Sequence, residues 1–182
     1  MGTVSAALAA AILLWGVFIF NRLIRERNRV RSAWSDIDVQ LKRRHELVPR
    51  LVEAVRQYAR YEQATLKAVT ELRVQSERAG DVDSKGRVEI ALGDGMQRLI
   101  ALGEQYPDLQ ASDNFLKLQQ QLVEVEDFIQ YARRYYNGAV RMFNTYLESF
   151  PDLLVARALG FQPAQYFALE ADAERQVPEL RR

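Results

Sequence analysis

Cysteine is absent from this 182-residue chain, which excludes disulfides, thiolate metal sites and cysteine nucleophiles without fixing the compartment. Histidine occurs once, at His45. A di-metal helical bundle needs Glu-x-x-His pairs from two helices, so a single histidine argues against one. No excess of either charge sign is present: 25 Lys+Arg stand against 24 Asp+Glu, and a net charge of +1 gives no whole-chain case for a nucleic-acid partner. Glycine-rich phosphate loops, HExxH and a Ser-His-Asp order are missing, and no cofactor-binding, metal or catalytic set emerges. Glycine (9) and proline (5) are scarce, so long stretches lack breakers and favour helix. The scarcity of breakers, with the apolar run and the stripes below, leads to an all-α fold, an antiparallel bundle of long amphipathic helices preceded by one transmembrane helix.

Charge is also missing locally. Val4 to Phe20 holds no charged residue. As a helix its 17 residues rise about 26 Å, slightly short of a hydrocarbon core of roughly 30 Å. Leu23 and Ile24 extend the span if Arg22 snorkels. Trp15, Phe18 and Phe20 suit a membrane interface. A cleaved signal peptide is the main rival. Against it, no basic residue precedes the run, no small-x-small site succeeds it, and the run leads into helix-favouring sequence. A core helix is the other rival. Arg22, Arg25, Arg27, Arg29 and Arg31 come directly after the run, so the positive-inside bias predicts the N-terminus outside and the rest of the chain in the cytoplasm. The expected layout is an anchor over 1–24, a helical bundle over 25–168 and a flexible charged tail over 169–182.

Apolar residues make up 48% of the chain, enough for a core beyond the anchor. From about Asn21 to Gln75 two heptad series, one through Trp34, Leu41, Val48 and Val55 and one through Val30, Ile37, Leu51 and Tyr58, form one continuous helical stripe. Arg44, Glu62 and Thr65 interrupt it. Pro49 falls inside the run; a kink, or a stop near Glu46 with restart at Pro49, both fit. Ser76 to Gly86 reads as a solvated linker, and Arg87 to Gln105 as a shorter helix carrying Val88, Leu92, Met96, Leu99 and Leu102, weakened by Gly93 and Gly95. Tyr106 to Ala111 is a turn. Asp113 to Ser149 repeats the long pattern, with Phe115, Leu122, Ile129, Tyr136 and Phe143 in one series. A helix over Asp152 to Leu159 ends at Gly160, and Gln162 to Phe167 is irregular.

Few residues suggest chemistry. His45, in a polar stretch, reads as a surface residue. Glu62 occupies a stripe position, so it should face other helices and be paired or neutralised, with Arg133, Arg134 or Arg44 as partner. An internal ion pair and a ligand site are both open for it. Tyr131, Tyr135, Tyr136 and Tyr146 with Phe143 form an aromatic series that reads as core. Asn137 and Asn144 lie one heptad apart, suited to hydrogen bonds that fix register across a helix interface.

The run Ser32-Ala33-Trp34-Ser35-Asp36-Ile37 through Arg44, then Leu47-Val48-Pro49-Arg50-Leu51-Val52, resembles the N-terminal signature of the LemA family. Tyr106-Pro107-Asp108-Leu109 with Phe115 and Leu118-Gln119 is similar to that family's middle motif. Glu126, Ile129, Ala132-Arg133, Tyr136-Asn137 and Asn144, closing at Phe150-Pro151, resemble its last helix, though Phe143 stands where a tyrosine is common. Phe161 and Tyr166-Phe167 resemble its ending. The resemblance implies a single-pass bacterial inner-membrane protein with a cytoplasmic helical bundle and no established enzyme activity. The expected role is a non-enzymatic scaffold whose partners are the lipid bilayer and further copies of itself or other membrane proteins. The alternatives are a lipid-binding or membrane-remodelling module, through residues such as Leu153, Leu154, Leu159 and Phe161, and a membrane hydrolase. The sequence does not name a small-molecule ligand.

Overall fold

A computed structural model describes residues 2–59 and 61–167. The expected tail, 169–182, lies outside the described residues. Among the described residues six helices run in order: α1 (Gly2–Arg56), α2 (Gln63–Arg78), α3 (Val82–Gly103), α4 (Pro107–Gln110), α5 (Asp113–Glu148) and α6 (Asp152–Ala158). No strand occurs among the described residues. The all-α expectation holds, and the start of α1 is long and apolar enough to cross a membrane.

The long first helix differs from expectation in where it ends. Pro49 neither stops nor splits it; α1 continues to Arg56. An interior proline costs about 3 kcal/mol. Val48, Leu51, Val52 and Val55 are all buried around it, at roughly 1.5–3 kcal/mol each, so packing outweighs the penalty. The pyrrolidine ring itself is exposed. The chain instead leaves the helix after Arg56, where Ala59 is buried and its N–H still bonds Val55 O at 2.8 Å. The expected single helix to Gln75 is therefore two, α1 and α2. The polar slots Glu62 and Thr65 marked this break.

The expected linker over Ser76 to Gly86 shrinks to Ala79–Asp81. Asp81 caps α3, its Oδ1 accepting the Ser84 N–H at 2.9 Å. Ser76 and Gly86 are buried in helices. Two glycines of α3 permit close packing. A Cβ on Gly95 would lie 2.9 Å from the Val69 side chain of α2, and one on Gly103 would lie 2.5 Å from the Phe115 ring. Gly95 thus trades helix propensity for the α2–α3 contact.

The chain divides into two compact units. The first is built from residues up to Ile37 together with Ala132–Gln165; the second from Asp38–Tyr131 together with the described residues after Gln165. In the first, α1 and α5 run antiparallel: Arg22 meets Tyr146, and further along α1 Trp34 meets Tyr136. The stripe residues Ile19, Leu23, Val30, Ala33 and Ile37 are buried there, as are Val140 and Phe143 of α5. In the second unit, the α2–α3 hairpin packs with the later part of α1 and the earlier part of α5, and Leu51, Val55, Leu92, Leu99 and Phe115 are fully buried.

Candidate functional site

In the second unit four helices converge on one carboxylate. Glu89 of α3 is only 2% exposed. Its Oε2 accepts from Arg44 Nη1 at 2.8 Å, and the same nitrogen donates to the Glu89 backbone oxygen at 3.0 Å. Its Oε1 lies 2.6 Å from His45 Nε2 and also accepts the Ser76 hydroxyl of α2. Arg44 Nη2 pairs with Glu126 of α5. Because Arg44 and His45 are consecutive on α1, their side chains leave the helix about 100° apart and close on Glu89 from two sides. Burial alone would push the Glu89 carboxyl up; the hydrogen bond from His45, the Arg44 charge and the Ser76 hydroxyl hold it below the usual carboxylate value. An ionised Glu89 only accepts, so His45 Nε2 carries a hydrogen. Its Nδ1 faces Glu77 at 4.0 Å, on a shallow groove that also includes Asp38, Lys42, Arg73 and Lys85. The hydrogen bond from Lys42, at 2.8 Å, leads the forces holding Asp38 below its usual value; Lys85 at 3.3 Å adds to it, and burial opposes both.

The chemistry of this cluster is set by its order. Activation of a serine needs imidazole between hydroxyl and acid. Here the carboxylate stands between Ser76 and His45. The arrangement clamps four helices together and satisfies a buried charge.

This geometry corrects two expectations. Glu62 does not face the bundle: it is exposed, at the position before α2, while Arg44 is engaged by Glu89 and Glu126. His45 is no surface residue but buried and partnered. The residue that plays the part expected of Glu62 is Glu89. It lies on the 3–4 spacing Glu89, Leu92, Met96, Leu99, all buried, so the signal was present; the expected stripe began instead at Val88, which is half-buried.

The first unit is assembled from aromatic rings. Trp34 stacks at 5.5 Å on Tyr136, whose hydroxyl donates to Gln165 O at 2.8 Å; burial pushes that phenol up. Asn144 accepts from Ala164 N at 2.9 Å and donates to Ala164 O at 3.0 Å. Its partner is therefore the extended stretch after α6, not a neighbouring helix as expected. Arg133 and Asn137 are buried in this unit, and Tyr135 points outward. Phe161 lies 6.2 Å from Phe20 and 6.5 Å from Phe143, with the Arg27 guanidinium 5.4 Å from its centroid. Arg22 does not reach freely outward, as snorkelling would require. Its Nε donates to the buried Asp152 of α6 at 3.1 Å, and its guanidinium covers Tyr146 at 4.8 Å and Phe18 at 6.0 Å. Leu23, expected to extend the span, is fully buried. Trp15, Phe18 and Phe20 are exposed on α1.

Comparison with known proteins gives a consistent picture. The model of the LemA family matches residues 33–181. Protein LemA of Metamycoplasma hominis is 31% identical over 167 residues, spanning 86% of this chain and 74% of that protein. Magnetosome protein MamQ of Magnetospirillum gryphiswaldense is 25% identical, across 91% of this chain and 73% of its own length. Magnetosome protein MamQ 2 of Paramagnetospirillum magneticum is 26% identical with the same coverage.

Proposed function

The chain belongs to the LemA family, and on that premise we propose that it is a membrane-anchored, non-enzymatic scaffold at the cytoplasmic face of a bacterial inner membrane, assembling with further copies of itself or with other membrane proteins. The observation that carries the anchor is the start of α1. Val4, Leu8, Ile12, Leu13, Leu14 and Val17 are all exposed on its surface. Water would oppose such a surface; hydrocarbon suits it. The arginines after position 20 favour the cytoplasmic side for the helices beyond the anchor. Assembly rests on α5: in the second unit Leu116, Val123, Phe128 and Tyr131 are exposed along it. Confinement to a bilayer raises the effective concentration at which weak contacts form. The relatives named as magnetosome proteins fit a role in an assembly. The order Ser76–Glu89–His45 favours a structural over a hydrolytic reading.

Light scattering of the full chain in detergent tests assembly. A mass that is a multiple of the protomer is expected, and a strict monomer at every concentration removes the scaffold reading. Alkaline carbonate extraction of membranes tests the anchor; release into the supernatant would remove it.

A further inference from the structure

The apolar run and the protein surface overlap in one place. Ile19 belongs to the charge-free segment, yet it is 1% exposed. Phe20 touches the Phe161 ring, and Arg22 is held by Asp152 and Tyr146. Part of the first unit therefore stands at the same height along α1 as the last turn of the run. That run, at about 26 Å, already falls short of the hydrocarbon thickness, so its last turn cannot stand clear of the bilayer.

The chain at that height is apolar and outward-facing. α5 descends antiparallel to α1, with Tyr146 beside Arg22; α5 ends at Glu148, so by helical rise the chain just past it corresponds to the level one turn before Arg22 on α1, that of Phe18. Phe150 follows directly, two residues before the Asp152 that Arg22 holds, and is 79% exposed. α6 then turns Asp152 and Ala156 inward and Leu154 outward, 55% exposed, with Leu159 exposed after it. The inner face of this short helix is thus anchored by a carboxylate, while its outer face shows leucine, the reverse of a helix facing water. Arg157 on α6 and Arg25 and Arg29 on α1 are exposed around this level, where phosphates would lie.

We infer that Phe150 and the outer face of α6, with Leu154 and Leu159, form a second membrane contact that enters the headgroup–acyl boundary of the bilayer crossed by α1. The occupant is the lipid surface itself, because Asp152 on Arg22 and Phe161 on Phe20 hold this stretch at the end of the apolar run. This rests on the anchor reading and extends it: α1 crosses the bilayer, and the end of the first unit lies in its surface.

The absence of cysteine allows a direct test. Single variants F150C, L154C, F18C and Y135C of the full chain, each carrying one nitroxide, are reconstituted in bilayers of phosphatidylethanolamine and phosphatidylglycerol. Accessibility to oxygen, which concentrates in lipid, is compared with accessibility to a water-soluble nickel chelate. All four positions are exposed, so a label at each can be accommodated on the surface. Position 18 reports the anchor; Tyr135, beside the Trp34 level of α1, reports water. Oxygen-to-nickel ratios at 150 and 154 severalfold above that at 135, and approaching that at 18, are the expected result. Ratios at 150 and 154 equal to that at 135, with 18 in lipid, overturn the second contact and leave the anchor standing. Poor access of both reagents at 150 and 154, as a second protein copy would cause, also overturns it. A water-like value at 18 overturns the anchor and the second contact together.

Discussion

The two units solve the same problem, closing α1 against α5, with different chemistry. The second buries a charged knot in which Arg44, His45 and Ser76 hold Glu89, and Arg44 reaches on to Glu126. The first uses rings: Trp34 on Tyr136, Phe161 between Phe20 and Phe143, and guanidinium groups laid over aromatic faces. A buried ion network is directional, and losing one member leaves the others uncompensated. Stacked rings tolerate small shifts, and each is worth about 0.5–1.5 kcal/mol beyond area burial. The contrast teaches that similar stripes on two long helices leave open how each stretch of their interface is fixed.

The strongest way to break the comparison is Glu89→Ala. It strands Arg44 and His45 in the interior, and a loss of about 3–5 kcal/mol is expected, read by thermal unfolding of the full chain in detergent. Glu89→Gln should lose less, since the amide oxygen still accepts from Arg44 while its NH2 can donate to the Ser76 hydroxyl. Acid probes the same group without mutation. Its folded value lies below the ordinary 4.5, so the unfolded chain takes up the proton more readily. The stability it contributes is complete above 4.5 and disappears as pH falls from there through the folded value. The expected result is a melting temperature that drops on acidification below 4.5, with a shallower drop in Glu89→Gln; equal slopes would separate Glu89 from the acid response.

In the first unit, Asn144→Ala removes both bonds to Ala164, at about 1–3 kcal/mol. Hydrogen exchange at the Ala164 amide should speed up before global unfolding, while amides around Glu89 keep their protection. Uniform loss across both units would erase the distinction drawn between them. The smallest effect is expected from Glu62→Ala, within about 0.5 kcal/mol, since that side chain is exposed.

That last contrast shows what could be read in advance. The stripes of α1 and α5 were legible because helical periodicity depends only on local spacing, and Tyr136, Phe143, Val48 and Leu51 are buried as that spacing requires. The helix after Pro151 was legible from turn chemistry, and so was the break around Pro107-Asp108, although the expected turn is the short helix α4. Ion pairing was not. Whether Arg44 meets Glu62 or Glu89 depends on which helices face each other, and the stop after Arg56, which decides that, lacks glycine or proline to announce it. Pro49, the residue that did look like a breaker, is overruled by its buried neighbours. Arg22 and Asp152 are 130 residues apart, and no local pattern couples them.

The unbroken course of α1 has a mechanical consequence. No hinge separates Phe18, in the apolar run, from Trp34, in the ring stack of the first unit. A bilayer thicker or thinner than the short run prefers changes helix tilt at a cost of fractions of a kcal/mol per ångström of mismatch. If α1 is the anchor, that tilt reaches Trp34 undiminished, so lipid thickness is transmitted as an angle to the ring stack.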